Sequence, residues 1–160
     1  MLVRAFRDGD EPALQVVFYS AVHVVAAKDY AIQQLDAWAP HRPDWEAWTA
    51  RMRALQPFVA EADGRVVGYA DLQTSGYIDH FYVAGKYARR GVGRLLMERL
   101  HARAAELGLV RLYSDVSTTA EPFFERFGFR VLERKNVVSG QVSLANARME
   151  KRLAPEGSSP

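Results

Sequence analysis

The chain has no cysteine among its 160 residues, which excludes disulfides, thiolate metal ligands and a cysteine nucleophile. That absence fits a reducing cytosol, and a cytoplasmic location is the expectation. Long apolar runs are also missing. The longest stretch, Val16–Ala27, is interrupted by Tyr19, Ser20 and His23 and is too short to cross a membrane. The first residues lack a charged head followed by an apolar core, so no signal peptide is expected. Charge of one sign is scarce as well. A net charge of +2 is too small to argue for a nucleic-acid partner, and the four histidines have no metal-ligand spacing.

Apolar residues make up 49% of the chain and charged residues 25%, as in an ordinary globular domain with a core. Helical periodicity covers residues 11–25, with Asp8 or Asp10 as its cap, and residues 31–38, with Asp29 as its cap. A third helix is expected over 44–55, carrying Trp45 and Trp48, which suit either a core or a cleft wall. From Phe58 the period changes to two. Asp63-Gly64 marks a hairpin, and strands are expected at 2–6, 58–62, 65–72, 77–83, 110–116, 129–138 and 142–149. Ser139-Gly140 turns the last hairpin. A long helix from Gly91 to Leu107 ends at Gly108, and a short one follows over 119–127. This succession predicts an α/β (α+β) fold with a mixed sheet of about seven strands and helices on both faces. One domain is expected over 1–153, with a disordered polar tail at 154–160.

The segment Phe81-Tyr82-Val83-Ala84-Gly85-Lys86-Tyr87-Ala88-Arg89-Arg90-Gly91-Val92-Gly93-Arg94 takes a strand through a loop into a helix start. Unpaired N–H groups and the positive dipole end there suit a pyrophosphate. Gly91 and Gly93 would let a ligand approach the backbone, and Arg89, Arg90 and Arg94 add charged donors. The pattern is neither the dinucleotide fingerprint nor a P-loop.

This segment resembles the coenzyme A-binding motif of the GNAT superfamily of N-acetyltransferases. Residues Ala120-Glu121-Pro122-Phe123-Phe124-Glu125-Arg126-Phe127-Gly128-Phe129 resemble that family's second motif, in the right order and at the right distance. The resemblance covers nearly the whole chain. It implies a sheet splayed between the strand of Phe81, Tyr82 and Val83 and its neighbour at 110–116, with acetyl-CoA in the gap. Backbone groups near Tyr82 and Val83 would hold the pantetheine arm. The amides from Arg89 through Val92 and Gly93 to Arg94 would wrap the pyrophosphate. Phe123 and Arg126 match positions along the cofactor. Two positions depart from the pattern: Ala88 replaces the first basic residue of the loop, and Phe124 stands where many members place a tyrosine acid. Phe124 is then a packing residue against the cofactor, and Ser117 or Tyr113 would be the remaining acid candidates.

The implied reaction is acetyl transfer to a primary amine of a small molecule or peptide by direct attack in a ternary complex. The backbone N–H of Val83 would donate to the oxyanion. Asp79 and His80 are the candidate bases, being ionisable residues in an apolar strand, and Asp71 is a third. As neighbours on a strand, Asp79 and His80 should face opposite sides, so one should enter the site. The helical region after the first strand should hold the acceptor, with His23, Tyr30 and Trp38 as candidates beside His41 and Trp45; aromatic rings there could cage a cationic amine. A homodimer is compatible with the family. The alternative is a catalytically silent acyl-CoA-binding sensor or interaction module, suggested by Phe124.

Overall fold

The computed structural model describes residues 1–139 and 141–154. The Ser139-Gly140 turn and, apart from Ala154, the expected tail lie outside the described residues.

Strand β1 (Leu2–Ala5) leads into α1 (Glu11–Ser20), which runs on through a single π-helical segment at Ala21–Val25 and a 3₁₀ turn at Ala26–Lys28. Helices α2 (Ile32–Trp38) and α3 (Trp45–Leu55) follow. Asp10 stands at the N-cap of α1 but its carboxylate serves Arg4 and the amide of Arg7 instead of the helix. Asp29 is not the cap of α2, contrary to expectation: Ala31 is, its amide donating to Gln34, while Asp29 accepts from the Thr119 hydroxyl. Asp44 caps α3 by accepting from the Ala47 amide.

The hairpin β2 (Phe58–Ala62) and β3 (Arg65–Ala70) turns at Asp63-Gly64, both with positive φ, the geometry that such a two-residue turn requires. The strand expected over 77–83 is broken. Its start, β4 (Tyr77–Ile78), pairs parallel with β6 (Arg111–Ser117), and its end, β5 (Phe81–Val83), pairs antiparallel with β3. The two halves belong to different four-stranded sheets, ordered β1-β2-β3-β5 and β4-β6-β8-β7, with β7 at Arg130–Ser139 and β8 at Val142–Arg152. The cause lies at residues 79–80. The buried carboxylate of Asp71 accepts from the amides of Asp79 (2.9 Å) and His80 (2.6 Å), replacing ladder partners and bending the chain from one sheet to the other.

Helix α4 (Val92–Glu106) packs Val92, Leu96, Met97, Leu100 and Ala104 against the two sheets in the largest core cluster, which α5 (Glu121–Arg126) closes through Phe124. On the opposite face, α1 and α3 bury Leu14, Val17 and Met52 against Val59 and Tyr69. Gly68 permits the closest approach of α4, because a Cβ there would stand 2.9 Å from Val92. No helix among the described residues is long and apolar enough to cross a membrane.

Candidate active site

The two sheets part between β5 and β6. Ala84 donates to the Val67 carbonyl and Asp71 to the His80 carbonyl, so in the antiparallel alternation Tyr82 exchanges its backbone bonds with Tyr69. The N–H and C=O groups of Phe81 and Val83 consequently point the other way, into the gap. The expectation that Tyr82 offers backbone groups is therefore corrected: its main chain belongs to β3, and Phe81 and Val83 face the opening. A cavity of about 50 Å³ lies in that gap, lined by Asp79, Phe81, Tyr82, Ser114, Asp115, Val116, Ser117 and Phe124, with Trp38 at its edge.

Beyond β5 a 3₁₀ turn (Gly85–Tyr87) brings the chain to Arg89, whose φ is +61°, and to Gly91, whose φ is +87°. Gly91 is the N-cap of α4, and no side chain bonds the first amides of that helix. A Cβ at Gly91 would meet nothing within 4 Å, so its glycine serves the left-handed turn. Gly93 has a different reason. A Cβ there would stand 3.1 Å from the ring of Phe123, so Gly93 is needed at least for packing α5 on α4. Arg89, Arg90 and Arg94 are exposed and have no carboxylate partner among the described residues; Arg90 lies over Tyr87 and Arg94 over Phe127. Arg126 on α5 is likewise exposed.

Phe124 is buried and meets Phe81 and Phe129 edge-on at 5.6 and 5.0 Å. Of the hydroxyls named for its missing acid role, Ser117 lines the gap and accepts from the Ala120 amide, whereas Tyr113 points its hydroxyl to Ser75 and packs at a tilt against Tyr77.

The break at 79–80 also changes the geometry of the candidate bases. Asp79 lines the gap, bound to the Arg51 guanidinium, while His80 lines a second, larger cavity of about 330 Å³. The two neighbours thus line different cavities, in keeping with their expected opposite orientation, and each cavity receives one ionisable group. Phe18, Trp38, Trp48, Pro40 and Pro43 form most of that second cavity, with Arg51 and Asp44 as its charged members. Trp38 borders both cavities. His80 Nδ1 lies 2.9 Å from the Tyr69 hydroxyl, and burial, then the Arg51 charge, pushes its pKa down to about 4. Burial raises Asp71 to about 6, Tyr82 to about 12 and Tyr69 well above the ordinary phenol value. Asp71 is covered by the chain and committed to two amides, so it is removed from the list of candidate bases.

Among the acceptor-site candidates, Trp38 lines both of these cavities and the others line neither. His23, in the π-helical segment, is 2.7 Å from the Ala39 carbonyl through Nε2 and stacks on Tyr19. Tyr30 is buried, donating to the Ala145 carbonyl and accepting from the Thr118 amide, which ties the helical layer to the second sheet. His41 bonds Tyr19, and Trp45 is largely exposed. Sequence reasoning missed Phe18 and Arg51. Asp44, Ala47, Trp48 and Arg51 stand at i, i+3, i+4 and i+7, one face of α3, and that spacing was the available signal. No group of histidine and acidic residues able to hold a metal occurs among the described residues.

An α/β protein whose sheet is parted in the middle, with a bare helix start at the mouth of the gap, is the class these features define. A family model described as an acetyltransferase (GNAT) domain matches residues 26–153. The chain is 34% identical over 135 residues to the uncharacterised N-acetyltransferase YafP of Escherichia coli (strain K12), covering 84% of this chain and 85% of that protein. It superposes on a GCN5-related N-acetyltransferase from Rhodopseudomonas palustris with a TM-score of 0.90 at 30% identity, covering 95% of each chain. It shares its fold with yncA of Salmonella typhimurium, a putative acetyltransferase solved with acetyl-CoA (TM-score 0.70, 22% identical, 100% of this chain and 97% of that one). The chain belongs to the GNAT acetyltransferase family and is an acetyltransferase.

Proposed function

We propose that the chain, as one domain over 1–153, moves the acetyl group of acetyl-CoA to a primary amine by direct attack in a ternary complex. The observation that carries this reading is the parting of β5 from β6. It leaves the main-chain groups of Phe81 and Val83 without a strand partner, along a line that ends at the first turn of α4. An amide-bearing pantetheine arm can take the place of the missing strand, and its pyrophosphate then meets the amides of Val92, Gly93 and Arg94 and the cations Arg89 and Arg90. Phe123 and Arg126 flank this path, and Phe124 packs against the acyl end. The acetyl-CoA in the structure of yncA supports the choice of donor.

The Val83 N–H is the donor for the developing oxyanion, since it points into the gap and is paid no bond by β3. The acceptor approaches from the larger cavity, past Trp38, with His80 as the base facing it and Asp79 held by Arg51 beside it. Holding amine and thioester together supplies most of what such a reaction needs, because the thiolate of coenzyme A leaves without strong acid help. Ser117 is the hydroxyl in reach of the gap for protonating it. Incubation with acetyl-CoA and a panel of amines, with free thiol followed, tests the reading: amine-dependent thiol release is expected.

A second reading is favoured by one observation. Phe124 fills the position of the expected acid with a side chain that cannot donate a proton, which suits a silent acyl-CoA-binding sensor. Tight binding of acetyl-CoA with no thiol release across the panel would establish that reading in place of the first.

A further inference from the structure

We infer that the acceptor is an amine uncharged at neutral pH, of the arylamine class, seated in the cavity between α1, α3 and His80. The inference rests on the acetyl-transfer reading and names the partner of its larger cavity.

The walls of that cavity are Phe18, Trp38, Trp48 and two prolines, an apolar surface that takes an aromatic ring. Its volume of about 330 Å³ is at the small end of ligand pockets and suits one substituted ring. An ammonium entering it would lose water and find no buried carboxylate in exchange. Asp79 is already bound to Arg51, and Asp44 is exposed at the rim and committed to the Ala47 amide. Arg51, the one cation in the wall, is paired with Asp79, so the two together offer a second cation no net attraction. The rings do not form an open cage for a cation, since Phe18 is spent on Trp48 at 5.3 Å and on Tyr82 at 4.9 Å.

The base facing the cavity agrees. In the tautomer whose Nδ1–H donates to the Tyr69 hydroxyl oxygen, Nε2 of His80 carries the free lone pair that meets the acceptor. A histidine kept neutral to about pH 4 is too weak to strip an alkylammonium, whose pKa is about 10. It is well matched to an arylamine, which carries its lone pair free and sheds a proton only as it attacks. As the new C–N bond forms, Nε2 takes that proton. The C–S pair leaves on sulfur, and the proton passes to the thiolate, giving the anilide and coenzyme A thiol.

The test compares isomers of equal size. 4-Methylaniline and benzylamine share one formula, but only benzylamine is an ammonium at neutral pH. Thiol release at pH about 7 is measured with each and with a lysine-containing peptide, alongside calorimetry of acetyl-CoA binding. Expected is a kcat/KM for 4-methylaniline at least about tenfold above the other two, nearly flat from about pH 6 to 9. Equal or faster turnover of benzylamine or the peptide overturns the inference and leaves acetyl transfer standing. Binding of acetyl-CoA without thiol release from any of the three, or from the wider amine panel, overturns the acetyl-transfer reading itself. One variant, His80→Gln, is expected to lower kcat for 4-methylaniline while leaving acetyl-CoA affinity as it was; an unchanged kcat overturns the base assigned to this cavity.

Discussion

Around the loop from Ala84 to Arg94 the charges face solvent without partners, whereas across the cleft they are bound to one another. Arg89, Arg90 and Arg94 have no carboxylate within reach among the described residues, and the amides at the start of α4 have no side-chain cap. On the other wall Arg51 holds Asp79, Asp71 holds two amides and His80 holds Tyr69. Unsatisfied groups at a surface cost little because water serves them, and they stay available to an anionic ligand. Paired groups in that wall fix a shape. On the proposed reading, the donor side binds charge and the acceptor side holds geometry.

The largest expected effect on this contrast comes from Gly93→Glu. The new side chain meets Phe123 and sets a negative charge at the helix start, so calorimetry should show coenzyme A binding lost. Retained affinity would remove the pyrophosphate from that turn. Gly93→Ala keeps the charge and adds only the contact at 3.1 Å, so it should cost stability before affinity.

Asp71→Ala comes next and acts on the acceptor side alone in its cause. Two part-buried amides lose their acceptor, and urea denaturation should show a loss of roughly 2–4 kcal/mol. A loss below about 0.5 kcal/mol would mean that the bend at 79–80 does not depend on this carboxylate.

The pH dependence is smaller and has two signs. His80 has a folded pKa of about 4, below its unfolded value, so its contribution is present above pH ~6.5 and is lost as pH falls toward 4. Asp71 has a folded pKa of about 6, above its unfolded value, so its contribution is present below pH ~4 and is lost as pH rises toward 6. Between about pH 4 and 6 the two oppose. In Asp71→Asn only the histidine remains, and thermal melts should then show stability rising with pH more steeply than in the parent chain. Parallel melting curves in the two proteins would contradict this coupling.

The smallest effects separate the walls most cleanly. Arg89→Gln or Arg90→Gln should weaken coenzyme A binding by about threefold each, less at high salt, with no change in denaturation midpoint. Arg51→Gln should do the reverse, leaving coenzyme A affinity intact and altering the acceptor's KM. Exchange of these two outcomes would break the division between a charge-binding wall and a shape-holding one.

The donor side was legible in sequence because it is local. A strand, a loop with Gly91 and Gly93, and a helix start are contiguous, and on the proposed reading the backbone does most of the binding. The element order was legible for the same reason, as period and turn residues act within a few positions. The acceptor side was not, because its wall draws on α1, α2, α3 and β5, which meet only after folding. Phe18 and Arg51 look like ordinary helix residues until those helices dock, and His23 and Tyr30, candidates for the acceptor site in sequence, are tied to Ala39, Thr118 and Ala145.

By itself, then, the sequence determined the succession of elements, the family and the charged loop, since each depends on neighbours along the chain. Tertiary structure alone decided that Asp71, nine residues from His80, would bend the strand at 79–80. That bend turns His80 into the cavity and sends Phe81 and Val83 to the gap, because a buried carboxylate must find its donors wherever the fold supplies them.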